Sequence, residues 1–261
     1  MKKALKIIIP IVIFLIVCIV AILYLRPRIA VYQAIHDAME ANYVTDLGAT
    51  GIPYTEYSVT DDSLVMTRTP YYTIGIPADY QKDDAYPLDT GIVYRDEAKD
   101  ERVIIITETD ELNMNLLNPE YYQDDNSLFN INEKYLAQGF KKLGYGMPDN
   151  YYNTYKCALS ITEDDYDFFS LSKSLAYYCL VPFRTMAPHY ADGINSRVYF
   201  YETDNKYAII TEQYNETFDG YMYWINVLDP DYLNYPHSLL IYFLDDPNQA
   251  YAIINSIEFH E

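Results

Sequence analysis

The longest apolar stretch of the chain lies near its N-terminus, from Ile7 to Leu25, and contains no charged residue. As a helix with a rise of about 1.5 Å per residue it would be roughly 28 Å long, close to the ~30 Å hydrocarbon core of a bilayer. Basic residues flank it on both sides, namely Lys2, Lys3 and Lys6 before it and Arg26 and Arg28 after it. The pattern predicts a transmembrane helix over residues 7–25, preceded by a short segment over residues 1–6.

Two other interpretations of this stretch are a cleaved signal peptide and a lipoprotein signal. A cleaved signal has an apolar region of about 7–15 residues followed by small residues at the cleavage site. This stretch is longer, and residues 23–27 offer no pair of small residues. Cys18 follows the bulky Val17, where a lipobox usually has a small residue, and apolar residues continue beyond it. An uncleaved anchor is therefore the favoured interpretation.

The charges at the two ends of the stretch predict its orientation. Three lysines and the α-amine precede it, whereas two arginines follow it. Because the more positive flank usually stays in the cytoplasm, we expect residues 1–6 to be cytoplasmic and the rest of the chain to be extracellular, on a single-pass protein of the cell membrane. A cytoplasmic location of the large C-terminal part is the alternative.

A helical period continues after the anchor. Apolar side chains recur at steps of three or four residues, at Ile29, Tyr32, Ile35, Met39 and Tyr43. This spacing predicts an amphipathic helix, which would form a juxtamembrane stalk within residues 26–52. Gly48 and Gly51 are expected to end it.

The pattern then changes to the two-residue period of β-strands. Strands are predicted over residues 56–60, 64–68, 71–76, 91–94 and 102–108. The first two are expected to form a hairpin, and residues 78–89 a polar loop. Residues 103–106 read Val-Ile-Ile-Ile without polar alternation, which indicates a central strand covered on both faces.

The middle of the chain is predicted to be helical over residues 133–143, 149–160 and 163–186. Gly144 is expected to end the first of these helices. Thr162 and Asp165 resemble a capping box at the start of the third helix. Pro182 is expected to kink or shorten that helix.

Two cysteines, Cys157 and Cys179, lie in these predicted helices. If the second and third helices fold back on each other at Thr162, Cys157 lies five residues before the turn and Cys179 lies 17 after it. The offset corresponds to roughly 18 Å along the helix axis, whereas a disulfide needs Cα atoms within about 7 Å. We therefore expect two free, mostly buried thiols.

The chain ends in further strands, predicted over residues 197–202, 207–213, 220–228, 238–244 and 256–259. A helix over residues 246–254 precedes the last strand and has Pro247 in its first turn, a position that suits proline. The whole pattern predicts an α+β fold: an N-terminal transmembrane helix, followed by one domain over residues 53–261 with a mostly antiparallel sheet packed by helices.

Two segments resemble known domains. The sequence YTIGIP at Tyr72–Pro77 resembles the early strand-then-proline element of Mog1/PsbP-like α/β/α sandwich domains. Residues 238–244, with the helix and the strand that follow, are similar to the C-terminal strand–helix–strand of that family. The resemblance implies a binding or assembly role and no catalytic residue. The whole chain also resembles uncharacterised membrane-anchored proteins of low-GC Gram-positive bacteria.

Charge excludes one class of partner. All 38 acidic residues but only 14 of the 18 basic residues follow Arg26, so the part after the anchor has a formal charge of −24. Such a surface repels phosphate backbones, which argues against nucleic acid as a partner. It also disfavours close contact of the whole domain with anionic lipid.

Tyrosine is unusually abundant, with 31 residues, and half of the chain is hydrophobic. This composition argues against acidic disorder. Tyrosine has an apolar ring and a polar tip. The tyrosines could therefore be partly buried in the sheet, or they could line a face that binds carbohydrate or peptide.

No motif specifies a reaction, so we predict no catalytic, cofactor-binding or established metal-ligating residue. His189 and Asp192 have a spacing that suits a metal, but no third ligand lies near them. The acidic doublets fall at predicted turns and helix starts, where aspartate bonds backbone amides. The sharper alternative is a Ca²⁺ site at Asp124, Asp125 and Asn126, because oxygen ligands in a loop suit Ca²⁺.

Two functional hypotheses remain from the sequence. The first is a membrane-anchored extracytoplasmic module that binds or assembles with a protein or cell-wall polymer and has no recognisable catalytic motif. The alternative is an anchored cell-envelope hydrolase whose paired carboxylates, about 5–10 Å apart, act as acid and base.

Overall fold

The fold is known from a computed structural model that describes residues 2–41, 51–53, 63–84, 91–107, 133–186 and 197–260. The helices in these ranges are α1 (Lys2–Ala41), α2 (Glu133–Leu143), α3 (Tyr151–Ser160), α4 (Leu171–Met186) and α5 (Pro247–Asn255). The strands are β1 (Gly51–Pro53), β2 (Leu64–Arg68), β3 (Tyr72–Pro77), β4 (Tyr80–Lys82), β5 (Gly91–Asp96), β6 (Val103–Thr107), β7 (Arg197–Glu202), β8 (Tyr207–Asn215), β9 (Gly220–Leu228), β10 (His237–Leu244) and β11 (Glu258–Phe259). The predicted α+β class, with mostly antiparallel pairing, is confirmed.

The chain forms two compact units. The helical unit comprises Met1–Asp46, Leu116–Met147 and Thr162–Pro182. The sheet unit comprises Leu47–Asn115, Pro148–Ile161 and Phe183–Glu261. Since both units draw on segments from residues 53–261, the boundaries predicted at residues 26 and 53 stay predictions.

The sheet unit contains two sheets. The larger has eight strands in the order β1-β7-β8-β9-β10-β6-β5-β4, and the smaller has three in the order β11-β3-β2. Every pairing is antiparallel except that of β1 with β7. The hairpin predicted from residues 197–202 and 207–213 is confirmed as β7 and β8.

Strand β6 is central, as predicted, because it lies between β10 and β5. Its burial nevertheless alternates along the strand: Ile104 and Ile106 are buried, whereas Val103, Ile105 and Thr107 are partly exposed. Successive side chains point to opposite faces of a sheet, so only one face of this strand is fully covered. The prediction of complete cover on both faces is wrong.

In the first strand region one prediction stays a prediction and another is corrected. The observed partner of β2 is β3, with Leu64 opposite Pro77, whereas the predicted partner over residues 56–60 lies outside the described residues. The predicted polar loop over 78–89 contains a short strand, β4, which pairs with β5. Tyr80 explains this strand, because its ring joins the apolar core.

A single apolar cluster joins the two sheets and α5. It includes Ile74 of β3, Ile225 of β9 and Ile253 of α5. The other face of the larger sheet carries α3, where Asn226, next to Ile225 on β9, donates to the Tyr151 hydroxyl at 2.6 Å. At β9 the larger sheet therefore has α5 and the small sheet on one side and α3 on the other.

Helix α5 is bounded by polar contacts at both ends. Asp246 precedes it and accepts a hydrogen bond from the Asn248 amide at 2.9 Å, as the position of Pro247 predicted. At the other end, the ammonium group of Lys206 donates to the carbonyl oxygens of Ile254 and Asn255 at 3.3 and 2.6 Å. A cation at this end complements the helix dipole. Burial nevertheless lowers the pKa of Lys206 to about 8.

In the helical unit, α2 packs closely on α4. A Cβ atom added at Gly139 would lie 2.0 Å from the Ser172 carbonyl oxygen, so only glycine allows this approach. Lys142 donates to the Ser170 and Ser172 hydroxyls at 2.9 and 2.8 Å. Helix α2 ends as predicted before Gly144, whose φ is +89°.

The third predicted helix begins later than expected. Residues Glu163–Asp165 form one 3-10 turn, and α4 starts only at Leu171. Asp165 accepts from the Thr162 amide at 2.9 Å, and Asp167 accepts from the Phe169 amide at 3.0 Å. These local bonds compete with helical hydrogen bonding. Pro182 does not end α4, which continues to Met186.

Neither Cys157 nor Cys179 forms a disulfide, and both thiols are buried. Burial raises the pKa of the Cys157 thiol to about 11, and the nearby Lys156 opposes this rise. A thiol with so high a pKa is mostly protonated near neutral pH and is a poor nucleophile.

We expect Gly139→Ala to destabilise the helical unit, by about 1–3 kcal/mol, because the added methyl group collides with the α4 backbone. Hydrogen exchange of the full-length chain in detergent should become faster in α2 and α4. Gly146→Ala is the matched control, since no atom lies within 4 Å of the added Cβ. Equal exchange rates in the two variants would contradict the close packing.

We expect the buried Lys206 to make the sheet unit more stable as pH rises. The folded chain releases this proton near pH 8, and an unfolded lysine keeps it to about 10.5. The unfolded state therefore binds more protons between these values, and the free energy of unfolding increases with pH in that range.

Denaturant titrations followed by Trp224 fluorescence, at pH values from about 7.5 to 9.5, measure this dependence below the range where unfolded tyrosines ionise. Lys206→Met should lose the increase in unfolding free energy, whereas Lys99→Met, at an exposed position, should keep it. Identical pH dependence in the two variants would show that Lys206 is not the titrating group.

Candidate functional site

The N-terminal helix has two different surfaces along its length. Between Ile9 and Leu25 its large apolar side chains are 38–70% exposed. Further along, Val31 and Ile35 are 0% and 6% exposed. Of the described helices, α1 is the one long and apolar enough to cross a membrane, over Ile9–Asp37. The exposed part coincides with the predicted span, and the buried part with the predicted stalk.

A polar and aromatic cluster, which we name the span-end cluster, lies where the exposed part of α1 ends. It consists of Tyr24, Arg28, Phe168 and Phe169. The Tyr24 hydroxyl and the Arg28 guanidinium both donate to the Phe169 carbonyl oxygen, at 3.5 and 3.4 Å. Arg28 also donates to the Tyr24 carbonyl oxygen at 2.6 Å, and its Cζ lies 3.5 Å from the centre of the Tyr24 ring.

The sheet unit contains a buried carboxylate surrounded by tyrosines. Glu212 of β8 is 8% exposed. Its Oε2 accepts from the hydroxyls of Tyr251 and Tyr223 at 2.6 and 3.0 Å, and its Oε1 accepts from Tyr199 at 3.4 Å. We name these four residues the Glu212 cluster. Three donors satisfy a charge that would otherwise be very unfavourable in an apolar core.

Tyr223 of the Glu212 cluster stays neutral near physiological pH because its pKa is raised. Burial raises the pKa of Tyr223 far above that of a free tyrosine, and the negative charge of Glu212 raises it further. A neutral hydroxyl can donate its proton to the carboxylate in a hydrogen bond. The cluster therefore stabilises the contact between β7, β8, β9 and α5, and it offers no exposed group to a substrate.

A second group of charges lies at the turn between β5 and β6. Asp96, which is 3% exposed, accepts from the amides of Ala98 and Lys99 at 2.7 and 3.2 Å. Arg102 lies between Asp96, at 4.0 Å, and Asp245, to which it is also hydrogen-bonded. The Arg102 hydrogen bond holds the pKa of Asp245 below its usual range.

This arrangement bears on the hydrolase hypothesis. One carboxyl of an acid–base pair has to be protonated in order to act as general acid. Asp96 and Asp245 instead flank one guanidinium, which favours the ionised form of Asp245. The group is suited to fixing the β5–β6 turn rather than to transferring protons.

Most tyrosines with a described environment are buried or half-buried, which favours the interpretation that they pack in the protein interior rather than line a binding face. The fully or nearly buried ones are Tyr72, Tyr80, Tyr94, Tyr151, Tyr152, Tyr155, Tyr177, Tyr178, Tyr199, Tyr223 and Tyr251. In the sheet unit, Tyr232 and Tyr235 form an exposed pair between β9 and β10, with ring centres 6.4 Å apart.

The sequence-predicted metal candidates lie outside the described residues. These are Asp124, Asp125 and Asn126 for Ca²⁺, and His189 with Asp192. Within the part of the chain that the structure describes, no group of three or more His, Cys, Asp or Glu side chains is placed to hold a metal ion. His237 packs against Tyr71 and Tyr72.

Sequence reasoning missed the two features that the structure makes most prominent. Glu212 is a lone acidic residue within the apolar strand β8, directly opposite Tyr223 of β9, and an acidic residue in a buried strand was the available signal. Phe168 falls within the helix predicted over residues 163–186, but it lies with Phe169 in the turn before α4. The acidic segment before this Phe-Phe pair was the signal for a turn.

Comparison with known proteins adds no family to this description. No protein-family model matches the chain, and a search of curated protein sequences finds no match.

We expect Glu212→Ala to lower the free energy of unfolding of the sheet unit by at least about 3 kcal/mol, because hydrogen bonds to a charged group contribute about 1.5–3 kcal/mol each and three donors lose their acceptor. Urea titration of the full-length chain in detergent, followed by Trp224 fluorescence, measures the change. Glu216→Ala, at an exposed position in the β8–β9 turn, should change it by less than about 0.5 kcal/mol. Equal effects would mean that the tyrosines do not depend on this carboxylate.

Proposed function

We propose that this protein is a single-pass, membrane-anchored module whose body outside the cytoplasm binds or assembles with a protein or cell-wall polymer. The observation that carries the proposal is the continuity of α1. One unbroken helix exposes its apolar residues from Ile9 to Leu25 and buries Val31 and Ile35.

The exposed half of α1 is the argument for a bilayer. Soluble proteins rarely expose contiguous apolar patches of more than a few hundred Å², and here the large apolar side chains on all sides of the helix are exposed. A helix that is hydrophobic all round belongs in a protein core or a membrane. Lipid is the environment that suits this segment, and the positive-inside bias favours a cytoplasmic N-terminus.

The buried half of α1 is the argument for a rigid connection. Pro27 lies inside the helix, and the helix continues to Ala41. Since Val31 and Ile35 are buried, no flexible linker separates the span from the helical unit. The helical unit would then be held at a fixed distance from the bilayer, which suits a binding or assembly role.

Binding is better supported than catalysis. Glu212 and Asp96, the two buried carboxylates described above, are both held by internal donors. The exposed ring pair of Tyr232 and Tyr235 offers stacking faces for a sugar or a peptide. The order β10, α5, β11 is also the one that the proposed resemblance to Mog1/PsbP-like domains expects.

The anchor can be tested by alkaline carbonate extraction of membranes from cells that make the full-length chain. The wild-type chain should stay in the membrane pellet. Leu15→Arg/Ile16→Arg should appear in the soluble fraction, because each arginine at the centre of a span costs about 2.5–3.5 kcal/mol. Gln33→Arg, at an exposed position outside the predicted span, is the control and should stay in the pellet. Release of the wild-type chain would overturn the anchor.

The orientation is tested separately. Protease added to intact protoplasts should degrade the part of the chain after the anchor. If that part is cut only after lysis, it faces the cytoplasm and the proposed location is wrong.

A further inference from the structure

Among the described residues of the helical unit, Phe169 is the most exposed large apolar side chain, at 74%. It lies between Asp167 and Leu171 in the turn that precedes α4. The Asp167 carboxylate accepts from the Phe169 amide at 3.0 Å, and the Asp167 carbonyl accepts from the Ser170 amide at 3.0 Å. The turn is therefore fixed by its own hydrogen bonds and presents the ring outward.

The residues of α1 that contact Phe169 indicate the environment of its ring. The Phe169 carbonyl oxygen is bonded to the side chains of Tyr24 and Arg28. Tyr24 is the last residue but one of the predicted span. Aromatic residues at the ends of transmembrane helices lie at the level of the lipid headgroups. Because the Phe169 backbone is hydrogen-bonded to Tyr24, we expect the Phe169 ring to lie near the level of the headgroups as well.

The charges next to the ring suit a lipid interface. Arg28 is bonded to the backbone of Phe169, and Lys142 is bonded to the hydroxyl of Ser170. Long basic side chains can keep their apolar stems in the interface and their charges in water. Asp167 adds a negative charge to the same turn, and one of its oxygens is already held by the Phe169 amide. A neutral or zwitterionic surface is therefore a better match than a strongly anionic one, which the overall charge of the chain would repel.

We propose that Phe169 inserts into the headgroup region of the bilayer that α1 spans, so that the 167–170 turn is a second membrane contact of the helical unit. This inference rests on the proposed membrane anchor. Burying one phenylalanine side chain is favourable relative to exposing it to water, but it is a small contact. Such a contact is too weak to bind a membrane alone. Next to a transmembrane helix it would hold the helical unit against the surface and restrict its tilt.

Tryptophan fluorescence of the full-length chain in nanodiscs tests the contact. Phe169→Trp places a reporter at an exposed site, where the larger ring should not disturb folding. The matched control is Tyr135→Trp on α2, which is 38% exposed. Position 135 lies roughly 10 Å along α2 from Lys142, whose side chain bonds the turn. The wild-type chain, with its single Trp224, supplies the baseline to subtract.

The nanodiscs contain zwitterionic phosphatidylcholine, either unmodified or brominated near the top of the acyl chains. The emission added by Phe169→Trp should be shifted to the blue and should lose most of its intensity in brominated lipid. The emission added by Tyr135→Trp should change little.

The outcomes separate this contact from the anchor. If the chain stays with the lipid but the reporter at position 169 emits equally in both lipids, the second contact is wrong and the anchor stands. If both reporters are quenched equally, the contact is not made by the turn and the inference is again wrong. If the chain does not associate with the lipid at all, the proposed anchor is wrong and this inference falls with it.

Discussion

The structure of this protein depends on the mismatch between the apolar surface of α1 and water. Along the first half of the helix no protein segment among the described residues covers that surface, and along the second half Val31 and Ile35 are buried. A helix satisfies its own backbone hydrogen bonds, so it can enter lipid without unsatisfied backbone groups. The same helix can therefore continue from lipid into a protein core without a break. The Arg28 and Tyr24 side chains mark the change, since both donate to the Phe169 carbonyl oxygen in another segment of the unit.

In the sheet unit, many acidic side chains have to be accommodated around an apolar core. Most carboxylates can avoid the core by lying at turns, where Asp229 and Asp246 bond nearby backbone amides. Glu212 lies in the core, where its carboxylate accepts hydrogen bonds from three tyrosine hydroxyls. Tyrosine suits this purpose because its ring packs like phenylalanine and its hydroxyl reaches a buried acceptor. The abundance of tyrosine in the chain thus has a structural use in the interior of the sheet.

Elements with strong local signals could be predicted from the sequence nearly to the residue. Helix α2 ends at Gly144 because glycine tolerates the positive φ found there. Helix α5 begins after Asp246 because aspartate caps the helix and proline suits its first turn. Strands β7, β8 and β9 lie within two residues of their predicted bounds, because turn-forming residues separate them. The candidate sites had no such signal, because their residues come from segments far apart in the chain.

The sequence by itself determined the apolar span, the α+β class and the position of most elements, since these follow from hydrophobic periodicity and from capping residues within a few positions of each other. Tertiary structure decided the rest. It surrounded Glu212 with tyrosines from three other elements and placed Phe169 beside Tyr24. Each of these is a choice among partners that are separated along the chain. Such choices depend on which surfaces pack together, and the hydrophobic periodicity of a segment does not specify its packing partner.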